Sequence, residues 1–196
     1  MALTDSRADV TGGTPPLLPA ASAAALDLGS CSLSALERKH LRAVWEWIGR
    51  KDYLQAQFEL DKISRAASVH PDVLEATMAV HYGFKHHFKA IEVGRLLINR
   101  GKALDRASVW LSLADSLHQL GRTQEAYDQL KQFANHGCRH GLVHYRLAVY
   151  ACLLGKSSQA KAHFANALNT SDGARLKREA LSDEQLRGIW DFLCQP

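Results

Sequence analysis

Cysteine is scarce in this chain and scattered along it. Cys31, Cys138, Cys152 and Cys194 form no C-x-x-C pair, so neither a zinc site of the usual spacing nor a disulfide framework is indicated. A reducing, cytoplasmic setting fits that usage best. Long apolar runs are also missing: no stretch reaches about 18 apolar residues, and no membrane span is expected. Residues 17–28 come nearest to an export signal. However, Asp5 and Asp9 stand against a single Arg7 before them, and Pro15, Pro16 and Pro19 interrupt the start, which argues against that reading. There is no G-x-S-x-G elbow and no Gly-rich phosphate loop, so nucleophilic and nucleotide chemistry lack their usual carriers. The paired carboxylates Asp183 and Glu184 stand at a helix start, where the helix dipole explains them. No enzyme and no cofactor are expected. A net charge of +4 is spread along the chain with acids nearby, a pattern of solubility and not of a nucleic-acid footprint.

What the chain does contain is helical period. Residues 1–33, rich in Thr, Ser, Ala, Gly and Pro, are expected to form a disordered leader. Ser34 with Glu37 then spells a capping box, followed by Leu36, Leu41, Val44, Trp45 and Ile48 at helical spacing. A turn from Gly49 to Asp52 leads into a second helix carrying Tyr53, Ala56, Leu60 and Ile63. His70-Pro71 opens the next pair, since proline suits the first helical turn. The period then becomes explicit. Trp110, Leu113, Ala114, Leu117, Gly121, Ala126 and Leu130 are answered thirty-four residues later by His144, Leu147, Ala148, Ala151, Gly155, Ala160 and Phe164. Ala56 precedes Ala90 by the same interval, and Ala90 precedes Ala126 by thirty-six, placing two extra residues in the connection between Asn99 and Arg106. Small residues at Ala114, Ala126, Ala148 and Ala160 let two helices cross closely, and Gly121 and Gly155 end first helices where positive φ is wanted. After residue 173 the period breaks. Ser182 with Gln185 then begins a closing helix whose face is Leu186, Ile189, Trp190 and Leu193.

Trp110-x2-Leu113-Ala114-x2-Leu117 with Ala126-x3-Leu130, and the turn Lys51-Asp52-Tyr53 with Ala56, resemble the tetratricopeptide repeat. The copy at residues 70–103 is the most divergent, with Thr77, Met78 and Gly94 where Leu, a small residue and an aromatic are usual. The resemblance implies an all-α, right-handed α-solenoid of four helix pairs at about 34–69, 70–103, 104–138 and 139–173. Residues 174–196 would be a C-terminal cap. It also implies that the first helix of each pair lines a concave groove. Transferred by register, that stripe is Arg38, Leu41, Trp45 and Ile48; Asp72, Glu75, Ala79 and Tyr82; Ser108, Leu111, Asp115 and His118; Leu142, Tyr145, Val149 and Cys152. Family members that hold acidic chaperone tails use a clamp of Lys, Arg and Asn. Those places here carry Leu41, Trp45, Ala76, Ser108 and Ser112, so that role is not implied.

The stripe is mostly apolar, with acidic spots at Asp72, Glu75 and Asp115, and suits a protein partner presenting an amphipathic helix or an apolar peptide, or a second copy of the chain as a homodimer. The expected role is a small chaperone or adaptor. In size and build, residues 34–196 are similar to the tetratricopeptide chaperones and accessory proteins of type III secretion, which implies an aggregation-prone secreted subunit as cargo. Two alternatives stand beside it. One is a scaffold subunit of a stable assembly, and the other a metal-binding protein using His136, Cys138, His140 and His144, four ligand types within nine residues.

Overall fold

The computed structural model describes residues 32–137 and 139–193. The expected leader therefore falls, but for its last two residues, outside the described residues. The described residues form ten α-helices joined by short connections: α1 (Ala35–Gly49), α2 (Tyr53–Leu60), α3 (Pro71–Gly83), α4 (His87–Asn99), α5 (Ala107–Gln119), α6 (Thr123–Asn135), α7 (Gly141–Leu153), α8 (Ser157–Leu168), α9 (Gly173–Ala180) and α10 (Trp190–Leu193). Two 3-10 turns, Ala67–Val69 and Glu184–Ile189, complete the order. Helices pack in sequence-adjacent pairs, and each pair packs on the next.

Local chemistry sets the boundaries. Ser34 Oγ accepts from Glu37 N at 3.2 Å while Glu37 Oε2 accepts from Ser34 N at 2.8 Å, completing the capping box at α1. Hydrogen bonds from the Ser64 hydroxyl and from Ser34 hold the Glu37 carboxyl down at about 2. Pro71 occupies the first turn of α3, and the His70 ring accepts from Asp72 N. The connection between α4 and α5 runs over residues 100–106, two longer than residues 136–140 between α6 and α7. The longer loop folds inward, with Ala103 fully buried and its carbonyl accepting from Trp110 Nε1 at 2.7 Å. α2 is shorter than its pattern suggests and ends at Leu60, although Ile63 stays buried. The closing segment also differs from the expected continuous helix. Asp183, not Ser182, caps it, and its first six residues are 3-10.

Each pair turns in the same way. The amide of the residue after the αL position bonds five residues back, as in Asp52 N to Trp47 O, His86 N to His81 O, Arg122 N to Leu117 O and Lys156 N to Ala151 O. The αL residue itself is Gly121 and Gly155 in the last two pairs but Lys51 and Lys85, both at φ 60°, in the first two. Beyond each turn the second helix places Ala56, Ala90, Ala126 or Ala160 against its partner, all with no exposed surface. The core is continuous from Met78 to Ile189, with a second cluster around Leu41, Val44, Ala56 and Val80 at the N-terminal end. α3 belongs to both, giving Val73, Ala76 and Val80 to one side and Met78 to the other.

Candidate functional site

α3 and α5 lie side by side and run the same way, with α1 packed on α3 and α7 on α5. Arg106, just before α5, reaches Asp72 at the start of α3, and Tyr82 near the end of α3 reaches Asp115 late in α5. The stripe expected to face a partner therefore exists as neighbouring positions, but its side chains fare differently. On α1, Trp45 is 39% exposed, Ile48 is half-buried, Leu41 is buried and the Arg38 guanidinium donates to the Leu33 carbonyl. Leu36, part of the same apolar period, is exposed and joins no core. On α3 and α5, Ala79, Tyr82 and Leu111 are half-buried.

The acidic spots are not free acids. Arg106 spans Glu75 Oε2 at 2.5 Å and Asp72 Oδ1 at 2.6 Å, while the Ser108 hydroxyl donates to Glu75. Burial disfavours the Arg106 charge, but these two carboxylates outweigh it and its pKa rises. Asp115 is a joint between three pairs. It accepts from Tyr150 Oη at 2.5 Å and Tyr82 Oη at 3.5 Å, with Arg146 Nη2 at 3.4 Å. Burial and then the Asp115 charge push both phenols' pKa values up, which keeps them as donors. His118 shares a hydrogen bond with Thr123 Oγ1 at 3.0 Å and tilts against the Tyr150 ring. The acidic spots of the stripe are thus paired links between successive pairs, with Asp72 and Glu75 sharing the single Arg106 guanidinium.

Along α7 the stripe is closed by the chain itself. Tyr145 is only 5% exposed and Val149 has no exposed surface, so neither is open to a partner. Tyr145 Oη donates to Asp183 Oδ2 at 2.7 Å, and Gly188 backs onto Cys152 so closely that a β-carbon there would sit 3.9 Å from Sγ. Leu186, between these points, and Ile189, just past them, are buried. The segment after α9 therefore runs along α7 in the direction of that helix, covering Tyr145, Val149 and Cys152. Burial and then Asp183 raise the pKa values of the Tyr145 phenol and the Cys152 thiol. Leu142, one turn before Tyr145, is half-buried.

The histidine cluster is dispersed as far as it is described, Cys138 lying outside the described residues. His136 Nδ1 bonds the Gln132 carbonyl of its own helix, whereas His144 stacks on His163 of α8. His136 and His140 line a cleft of about 380 Å³ with Asp105 and Arg139, and His144 lines another of about 460 Å³ with Asn166 and Asn169. Among the described residues, no three His, Cys, Asp or Glu side chains are grouped to hold a metal ion.

Comparison with family models, with curated proteins and with solved structures finds no match. Register alone did not reveal Arg106, Arg146 and Tyr150. A signal was present in the spacing, since Arg106 follows Asp72 by thirty-four residues and Tyr150 follows Asp115 by thirty-five, the distance at which successive pairs touch. No helix among the described residues is long and apolar enough to cross a membrane.

Proposed function

We propose that this chain is a tetratricopeptide-like interaction module, a small chaperone or adaptor. It holds an amphipathic segment of a partner protein along the first helices α1, α3 and α5. One observation carries the reading: the closing segment already lies along α7 in this manner, burying Leu186 and Ile189 against the stripe and bonding Tyr145 through Asp183. The remaining three helices offer Trp45, Ile48, Ala79, Tyr82 and Leu111 at corresponding places, flanked by the Arg106 and Asp115 links. Such a surface recognises an apolar helix face by shape and burial, with hydrogen bonding at its margins.

The closing segment leaves the stripes of α1, α3 and α5 uncovered, with Trp45 exposed and Ile48, Ala79, Tyr82 and Leu111 half-buried. At ~25 cal/mol per Å², burying what they still expose supplies several kcal/mol before ordering costs, a scale suited to a reversible complex. The resemblance of the repeat pattern and chain size to secretion chaperones makes an export-destined subunit the first partner class to try. The test uses Trp45→Glu and Leu111→Glu, both at open or half-buried positions, with native-host co-purification and mass spectrometry to find the partner. Trp45→Glu is expected to keep helicity and melting temperature within about 3 °C of the parent, and Leu111→Glu, whose side chain also packs on the core, to keep its helicity while melting several degrees lower. Both are expected to lose that partner. Undiminished capture by both would remove the groove from consideration.

A further inference from the structure

The turns between the helices of each pair lie in a row along one edge. Tyr53, at the start of α2, packs on Phe84 at the end of α3; Phe88 of α4 shares a cleft with Leu120 after α5; and Lys156 Nζ donates to Gln124 Oε1 at 2.7 Å. Four copies of one turn can thus be compared position by position. In the last two copies the αL residue is glycine and the residue three places on is polar: Gly121 with Gln124, and Gly155 with Ser158. In the first two copies the same places hold Lys51 with Leu54 and Lys85 with Phe88. Both substitutions work against the isolated fold. A lysine at positive φ is strained where glycine is not. Leu54 is 59% exposed and Phe88 71%, the most exposed large apolar side chain among the described residues.

The surroundings of these two tips are cationic. Arg50, Lys51, Lys85 and Lys89 are exposed, and Arg50 lies over the Trp47 ring. Lys51, Lys85 and Lys89 form no ion pair among the described residues. The carboxylates Glu46 and Glu92 stand one turn behind Arg50 and Phe88, set back from the edge, and Asp52 is used in capping α2. Beside Phe88, a cleft of about 380 Å³ is lined by Lys85, Lys89, His87 and Leu120. Apolar tips that protrude from turns, ringed by free cations, suit a flat, anionic, penetrable surface better than a peptide, which needs a groove.

We infer that the edge formed by the α1–α2 and α3–α4 turns is a peripheral docking surface for an anionic lipid bilayer. Leu54 and Phe88 enter the headgroup layer while Lys51, Lys85 and Lys89 meet lipid phosphates, and the Phe88 cleft admits a headgroup. This surface adjoins the end of the first-helix stripe where the Tyr82 ring meets His87, but it presents different residues, and neither reading depends on the other.

Vesicle co-sedimentation of the full chain tests it, with phosphatidylcholine alone and phosphatidylcholine mixed with phosphatidylserine. The chain is expected to sediment with the anionic vesicles only, and less as salt is raised. The double variant Lys51→Gly/Lys85→Gly installs the residue that the other two turns use, so folding is preserved by design and its melting temperature should not fall. Its partition should drop by about tenfold or more, and Leu54→Ser/Phe88→Ser should do the same. Failure to bind anionic vesicles, equal binding to neutral ones, or binding that both double variants leave unchanged would overturn the inference.

Discussion

Met78 and Gly94 offer a direct measurement of how one pair differs from its neighbours. Where the next two pairs place a small residue on the first helix, Ala114 and Ala148, the second pair has Met78. Where they place a large one on the second helix, Leu130 and Phe164, it has Gly94. All six positions are buried. A β-carbon on Gly94 would lie 2.8 Å from Met78 Cε and 3.2 Å from its Sδ, so the methionine occupies the volume the missing side chain leaves. Truncation by Met78→Ala removes that filling, and Gly94 has nothing to collapse with. The cost should sit in the range for such truncations, about 3–4 kcal/mol. Gly94→Leu alone drives a side chain into the methionine and costs about 1–3 kcal/mol, partly offset by roughly 0.8 kcal/mol of better helix propensity.

The double variant Met78→Ala/Gly94→Leu restores the arrangement of the neighbouring pairs. Its stability should return to within about 1 kcal/mol of the parent, a coupling of roughly 3 kcal/mol or more between the two sites. Equilibrium urea denaturation followed by far-ultraviolet circular dichroism gives all four corners of the cycle. Leu113 Cβ, at ordinary contact distance of 3.6 Å from the same point, limits how far the new leucine can lean. If the double variant is as unstable as the sum of the singles, the two residues do not fill one space and the volume-exchange argument fails.

Two further outcomes rest on other parts of the molecule. Asp115→Ala should cost about 2–4 kcal/mol, because it strands the fully buried Tyr150 hydroxyl, while half-buried Arg146 can turn to water. Tyr150→Phe should cost about 1–2 kcal/mol, and additive losses in the double variant would refute a shared link. His163, on α8, has Nε2 3.1 Å from Tyr127 Oη, and its buried Nδ1 finds no hydrogen-bond partner among the described residues. Burial, then His144 and Lys131, hold its pKa down at about 4. The unfolded chain therefore takes up a proton that the native one refuses: stability is complete above about pH 6.5 and declines toward pH 4, by at most about 1 kcal/mol per pH unit after allowing for the exposed part of the ring. His81, lowered by burial, acts in the same direction, so His163→Gln should shrink the slope between pH 6.5 and 4.5 without abolishing it. An unchanged slope would exclude His163 as a source.

The sequence made the helix pairs legible where their copies agree. Gly121 and Gly155 marked turns because glycine is needed at φ 76° and 72°, Ala56 to Ala160 marked crossings because only small side chains fit there, and Ser34 with Glu37 marked a start because the two bonds are local. Lys51 and Lys85 carried no such mark. Their φ of 60° follows from the register of the turn, and nothing in the lysine side chain signals it. The apolar face of Leu186, Ile189 and Trp190 was equally visible, but a local pattern cannot say which surface a face will cover, and so Tyr145 and Val149 were expected to be open. Charge partners raised a similar difficulty: Asp72 and Glu75 look like free acids until Arg106, one pair along, is brought across them.

A common physical cause underlies these differences. Residues shared by all copies solve the problem every pair has, namely closing a turn and packing two helices, so selection for folding alone accounts for them. Residues that differ between copies are under no such common demand, and each needs its own explanation. Met78 with Gly94 has one in packing volume, and the closing segment has one in covering the last pair. Lys51, Leu54, Lys85 and Phe88 have none within the folded chain: two are strained, two are exposed, and the equivalent turns at Gly121 and Gly155 close without them. A contact outside the fold is the remaining source of such a preference, and its position at the first two turns predicts that the partner meets the N-terminal half of that edge.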